Sequence, residues 1–263
     1  VRLPGLVDSH CHLQDPAFDA DRDAVLARAA AAGVERLLVP GYDLASSRRA
    51  VDLARQHPAT VHGAVGIHPH FAADASDTDW AELATMAGTP DVAAVGEIGL
   101  DYFRNLSPPD VQRRAFERQL ALAAAVGKPV LVHDRDAHDD IRAALLAWRG
   151  PERPAAVPRG VLHAFSGDTT MALDMTGAGF LISFALPLTF GKAAGPREAA
   201  SRIPAGSFLV ETDSPWLAPG GAAARNEPTT AVRVAVELAR LRNVPAEQIA
   251  SEVGVAYDRL LGG

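Results

Sequence analysis

Six side chains of this sequence are of the types that hold divalent cations: His10 and His12 in a His-Cys-His unit, Glu97, His133, His163 and Asp213. Each is expected just past a short strand-like apolar segment. Imidazole binds through one nitrogen and terminates a site, whereas a carboxylate can place one oxygen on each of two cations. Four imidazoles with two carboxylates therefore suit a pair of divalent ions, and the chemistry such a pair supports is hydrolysis. His10 and His12 are two residues apart, so on an extended segment they face one side and Cys11 the other. Asp8 shares their side and is placed to support a ligand from behind. A lone histidine is ordinarily a hydrogen-bonded core or surface residue. The shared position at strand ends is what raises this set above that reading.

Residues spread from position 10 to position 213 need a scaffold that gathers strand ends. Strand-like runs occur at Leu6–Asp8, Arg36–Val39, Val61–Val65, Val92–Gly96, Pro129–Val132, Gly160–Leu162, Phe180–Ser183 and Phe208–Val210. Helical patterns separate them at Arg22–Ala32, Ala45–Gln56, Trp80–Ala87, Pro109–Val126, Ala137–Trp148, Thr169–Gly177 and Pro196–Arg202, and two more follow near Thr229–Leu241 and Ala246–Leu261. Pro109 suits a first helical turn, and Gly33 and Gly127 suit helix C-termini. Such alternation argues α/β architecture with a parallel sheet. Eight units in 263 residues match a TIM (β/α)8 barrel of about 250 residues, expected as one domain over residues 1–263. In that fold the C-terminal strand ends carry the chemistry. A doubly wound sheet is the alternative, but no Gly-x-Gly-x-x-Gly follows the first strand. Pro151–Pro158 reads as a surface loop, and Pro219–Ala224 as a Gly/Ala-rich segment after the last strand.

Composition narrows the function classes. The formal charge is −7, and only Lys128 and Lys192 are lysines among 25 basic residues. A protein that grips long duplex usually shows a dominant basic face, so phosphate here is to be gripped locally. No apolar run approaches the roughly 20 residues of a membrane span. The single cysteine excludes an internal disulfide, and with no signal-peptide pattern the expected location is cytoplasmic. No heptad seam or broad apolar stripe calls for an obligate protein partner.

The motifs, taken in order, resemble the TatD family of metal-dependent deoxyribonucleases within the amidohydrolase-like superfamily. They are Asp8-Ser9-His10-Cys11-His12-Leu13, Gly66-Ile67-His68-Pro69-His70, Gly96 to Tyr102, His133-Asp134-Arg135-Asp136-Ala137, His163-Ala164-Phe165-Ser166-Gly167 and Glu211-Thr212-Asp213-Ser214-Pro215. The resemblance implies a TIM barrel, a dinuclear centre and hydrolysis of DNA phosphodiesters. It implies that His10 and His12 hold one metal and His133 and His163 the other, that Glu97 bridges them, and that Asp213 binds one metal beside the attacking water. Related barrels often bridge with a carboxylated lysine, which has no counterpart near the end of the fourth strand here. Asp134 and Ala164 stand where the family commonly has Ser and Cys. The Pro219–Pro228 loop lacks one of the family's arginines, and Val253–Tyr257 lacks its Asn-containing segment.

Two cations would offset the phosphodiester charge that repels a nucleophile and lower the pKa of a water. Asp213 would orient that water and accept its proton, passing it towards the leaving oxygen. The resemblance further implies that His68 lies near the scissile group, and His70, Arg104, Arg225 and Asn226 are further candidates for substrate contact. Arg135 is expected to pair with Asp134, Asp136 or another neighbour rather than with substrate, and His57, His62 and His138 to be structural or surface residues. The nitrogen-rich ligand set suits zinc or manganese, while family members are described as magnesium-dependent. The leading expectation is a nuclease acting at single-stranded DNA ends. The same centre could instead cleave an ester or amide of a small molecule or an aminoacylated RNA, and a metal-stabilised, catalytically silent binding protein is a third class.

Overall fold

The computed structural model describes residues 1–148, 150, 154, 156–221 and 224–262. Eight strands form, β1 (Leu6–Asp8), β2 (Val34–Pro40), β3 (Val61–Val65), β4 (Val92–Asp101), β5 (Val130–Arg135), β6 (Gly160–Leu162), β7 (Phe180–Phe184) and β8 (Phe208–Val210). They pair in parallel in sequence order. Backbone bonds join the last to the first: Ser9 N donates to Val210 O at 3.0 Å, and Asp213 N to His10 O at 2.9 Å. The architecture is a TIM barrel.

The strands are buried along most of their length, as expected when helices cover the outside and side chains fill the inside of a parallel sheet. The crossover helices are α1 (Arg22–Ala32), α2 (Leu44–Gln56), α3 (Asp77–Ala87), α4 (Pro109–Val126), α5 (His138–Ala147), α6 (Thr169–Gly177) and α7 (Ala194–Arg202). After β8 come α8 (Ala231–Arg242) and α9 (Ala246–Leu261), and α9 packs on α8, β1 and β8. Gly33 and Gly127 end α1 and α4 in the left-handed conformation, with φ of 93° and 72°. Helix α3 starts three residues before the expected Trp80 because Ser76 and Asp79 form a reciprocal cap.

The sequence pattern placed Glu97 and His133 just beyond their strands. Both lie inside them. Pairing of β4 with β5 slips between Val95 and Ile98, then resumes as Ile98 with Val132 and Asp101 with Arg135. Glycines and aspartates are poor strand formers and mask this extension in the sequence. Of the loop expected at Pro151–Pro158, residues 151–153 and 155 lie outside the described residues, as do Ala222 and Ala223 of the Pro219–Pro228 loop.

Candidate metal centre

Glu97 stands at the middle of the barrel mouth, and its backbone is tightly hemmed in. Its N–H donates to Gly41 O at 2.8 Å. A Cβ on Gly66 would lie 2.6 Å from the Gly96 carbonyl carbon, and one on Gly96 would lie 2.5 Å from Leu131 Cβ. Only glycine lets these strands approach so closely. The Glu97 carboxylate is then divided between two groups of imidazoles. Oε2 lies 3.3 Å from His10 Nε2 and 3.4 Å from His12 Nε2. Oε1 lies 2.9 Å from His133 Nδ1 and 3.0 Å from His163 Nε2. Asp213 Oδ1 joins the first group, 3.8 Å from His10 Nε2 and 3.6 Å from His12 Nε2. Donors about 2.1 Å from one cation stand about 3.0–3.4 Å apart at tetrahedral or octahedral angles, close to these separations.

Outer hydrogen bonds decide which nitrogen faces inward. A carbonyl oxygen only accepts, so His12 Nδ1 donates to Pro40 O at 3.1 Å; Gln14 Nε2 donates to the same oxygen at 2.7 Å. His163 Nδ1 donates to Glu211 Oε1 at 3.1 Å, and that oxygen also accepts from Ala164 N at 2.6 Å. His133 Nε2 donates to Asp101 Oδ2 at 3.2 Å. Each of these three neutral rings then turns a bare lone pair towards Glu97, and His133 Nδ1 faces His163 Nε2 at 3.3 Å; His10, which has no outer bond, brings its Nε2 to 3.1 Å from His12 Nε2. Lone pairs facing one another and a carboxylate repel unless positive charge lies between them. The donor set therefore fits divalent cations, with Pro40, Asp101 and Glu211 orienting the rings.

The same demand for positive charge shows in the proton affinities. Burial lowers His12, but its bonds to Asp213 and Glu97 prevail and push it up to about 9. Burial likewise opposes His163, which Glu97 and Glu211 raise well above its ordinary value. Burial would raise Glu97, yet the neighbouring imidazoles of His163, His68 and His10 hold it well below the usual carboxylate range. Asp213 is lowered too, its burial outweighed first by the bond from His12.

Asp8 supports the site through backbone rather than through an imidazole. Its carboxylate accepts from His10 N at 3.3 Å, Thr212 N at 3.0 Å and Thr212 Oγ1 at 2.6 Å, clamping β1 to the segment after β8. Asp213 and Ala164 sit at φ of 55° and 42°. That left-handed region costs an L side chain about 1 kcal/mol or more, and such costs cluster at functional sites.

His68 differs from the four inward-facing imidazoles. Its Nδ1 accepts from His70 N at 3.1 Å, so the neutral ring carries hydrogen on Nε2, 3.4 Å from Glu97 Oε1. Burial pushes it down to about 4, which makes it a neutral donor. His70 Nε2 donates to Asp101 Oδ2 at 2.7 Å. His68, His70 and Arg104 all line a cleft of about 1430 Å³ that holds the centre at its floor.

Two expected substrate contacts are corrected. Arg225 does not reach the cleft; its guanidinium binds both oxygens of Asp21, at 2.6 and 2.8 Å, and Glu227 at 2.9 Å, above the Phe18 ring. A planar fork is satisfied best by carboxylates, and two lie within reach. Asn226 is buried, donating to Thr212 O at 2.9 Å and accepting from Glu227 N, so it fastens the loop behind Asp213. Arg135 and His138 also line the cleft, and both meet expectation: Arg135 pairs with Asp136 at 3.9 Å, and His138 is a partly exposed residue held by Asp134. Arg135 stacks 4.8 Å over Phe103, and His138 donates to Asp134 at 2.8 Å.

Sequence reasoning gave no role to Glu211 or Asp101. The signal was present: Glu211 lies two positions before Asp213, and Asp101 four after Glu97, the even spacing that shares a strand face. The aromatic side chains of the mouth, Tyr42, Phe71, Phe103, Phe190 and Trp216, were also missed.

A parallel eight-stranded barrel with a carboxylate between two sets of imidazoles at its C-terminal mouth defines a metal-dependent hydrolase of the amidohydrolase-like kind. The sequence profile described as TatD related DNase matches residues 7–262, and the chain belongs to that family. It is 36% identical over 247 residues to the uncharacterized metal-dependent hydrolase YabD of Bacillus subtilis, covering 94% of each chain. It is 36% identical over 261 residues to the 3'-5' ssDNA/RNA exonuclease TatD of Erwinia tasmaniensis, covering 97% of this chain and 99% of that one. The crystal structure of YJJV, a TatD homologue of Escherichia coli K12, superposes with a TM-score of 0.90 at 31% identity, covering 99% of both chains. Among the described residues no helix is long and apolar enough to cross a membrane.

Proposed function

We propose that this chain is a single-domain, two-metal phosphodiesterase that removes nucleotides from the ends of single-stranded nucleic acid, DNA foremost. The observation that carries the reading is the division of Glu97: Oε2 towards His10 and His12, Oε1 towards His133 and His163. His10, His12 and Asp213 would hold one cation, His133 and His163 the other, with Glu97 shared. Bound there, two cations would neutralise phosphodiester charge and lower the pKa of a water. The nitrogen-rich set suits zinc or manganese better than magnesium.

The chain's own groups have distinct tasks. Asp213, anionic and fixed by the bond from its N–H to His10 O, orients the attacking water and accepts its proton. His68 presents a neutral Nε2–H towards the space beside Glu97 and donates to a non-bridging phosphate oxygen. Asp101 and Glu211 keep His133 and His163 in the tautomers that face inward. The names of the TatD exonucleases that this chain resembles support the choice of nucleic acid.

A substrate panel tests this reading. Labelled single-stranded DNA and RNA, a blunt duplex, simple esters and lactones are offered to protein of measured metal content. Loss of nucleotide release on chelation and its return with zinc or manganese are expected. Ester or lactone turnover without any oligonucleotide cleavage would overturn it.

A further inference from the structure

Large exposed apolar residues are unevenly placed on this molecule. Every Phe or Trp among them, namely Phe71, Phe103, Phe190 and Trp216, lies on the cleft above the metal centre. Single exposed apolar residues need no explanation, but their concentration at one mouth does. Phe190 stands apart, and the other aromatics form two groups. In the first, the Trp216 ring lies 4.7 Å from that of His12, and Tyr42 stacks on Phe71 at 5.5 Å. The second is Phe103, 63% exposed, with the Arg135 guanidinium 4.8 Å from its ring centre. Tyr102 N donates to Arg135 O at 2.9 Å, which ties the Phe103 turn to the end of β5.

Strand order places these groups relative to the centre. Trp216 follows β8 and His12 follows β1, whereas Phe103 follows β4 and Arg135 ends β5. In a closed ring of eight in sequence order, β4 and β5 lie across from β8 and β1. The metal centre is between them. A phosphodiester joins two nucleosides, one on either side of the scissile phosphate. We propose that the two aromatic groups are base-stacking platforms, Trp216 for one nucleoside and the Phe103–Arg135 pair for the other. The inference rests on the nuclease reading above and specifies its substrate as an unpaired strand end.

Cations set beside the aromatics favour this occupant over an apolar protein surface. Arg104 is next to Phe103 in sequence and Lys192 two residues from Phe190, and both line the same cleft, which also carries Asp134, Asp139 and Asp168. Cations beside flat aromatic faces are what a single strand needs: charge for its backbone, and stacking that tolerates any base. In a duplex only the terminal base has a free face and the next one has both covered, so the two bases flanking a scissile phosphate can occupy both platforms only when unpaired.

The test uses the full metal-loaded chain, a single-stranded hexanucleotide, its counterparts abasic at one or the other of the two terminal positions, and a blunt duplex. Phe103→Ala and Trp216→Ala should each raise KM for the intact hexanucleotide about tenfold, the scale of one lost base–aromatic stack, with a smaller change in kcat. Phe103→Trp should restore KM. With the abasic counterpart lacking the base that a platform holds, that platform's penalty should fall below twofold. An unchanged KM, an equal penalty on abasic strands, or preference for the duplex would overturn the platforms while leaving a nuclease. Failure of the wild-type protein to cleave any oligonucleotide while it hydrolyses carboxylic esters would overturn both.

Discussion

The two ends of the barrel are built from the same side-chain types and handle them in opposite ways. At the N-terminal end, the buried Tyr257 of α9 pairs its hydroxyl with His62 Nδ1 at 2.9 Å, Arg36 pairs with Asp258 and lies 5.3 Å over the Tyr257 ring, and Lys128 donates to Thr89 O. Each of these three side chains has a partner, whereas Arg159 Nη2 and Arg259 Nε at the same end are buried without one. At the C-terminal mouth, imidazole lone pairs face each other and Glu97, and His10 Nδ1 is buried without a partner. Polar groups paired within the protein, as the three at the N-terminal end are, stabilise the fold. An end that leaves like groups converging requires something brought from outside to complete it.

The contrast breaks most sharply at Glu97. Glu97→Gln keeps the shape but removes the bridging negative charge and one of the two oxygen donors; activity should drop by about 10³-fold or more, since each metal contributes several kcal/mol to the transition state. Metal analysis should show fewer than two ions per chain. Asp213→Ala should cost about 10²–10⁴-fold in kcat, the range for losing a general base, with an unchanged circular dichroism spectrum. Near-normal turnover would remove Asp213 from the proton path. Glu211→Gln leaves every inward donor in place, so its loss should appear as a roughly 10- to 100-fold weaker metal affinity, measured by competition with a chelating dye.

Two smaller effects separate the ends. His12 lies above its unfolded value when metal is absent, at about 9. Its stabilising contribution is therefore complete below about pH 6.5 and is lost as pH rises through about 9. Tm of the chelated protein should fall across that window. With zinc or manganese bound the fall should disappear, because metals take deprotonated imidazole. At the other end, Tyr257→Phe should lower stability by about 1 kcal/mol in denaturant titration and leave kcat unchanged. A loss of activity there would show that the two ends are coupled.

Much of this design can be read from particular residues. The strands at Leu6–Asp8, Val61–Val65, Gly160–Leu162 and Phe208–Val210 stand where apolar runs place them, because short runs flanked by turn residues have no other use in a parallel sheet. The six inward-facing donors were named by type and by position at strand ends. Arg225 and Asn226 were misjudged as candidates for substrate contact because partners of each lie far away in the sequence. Their partners Asp21, Glu227 and Thr212 are brought by the fold. Asp101 went without a role because its bonds to His133 and His70 cross three strands.

By itself the amino-acid order determined the alternation of strand and helix and the chemical types that gather at one end. Those follow from local propensity and polarity, which act over a few residues. Only the tertiary structure decided which oxygen of Glu97 faces which imidazole, which tautomer each ring adopts, and which aromatics rim the mouth. Such contacts join positions as far apart as His10 and Asp213, and they exist once the last strand bonds back to the first.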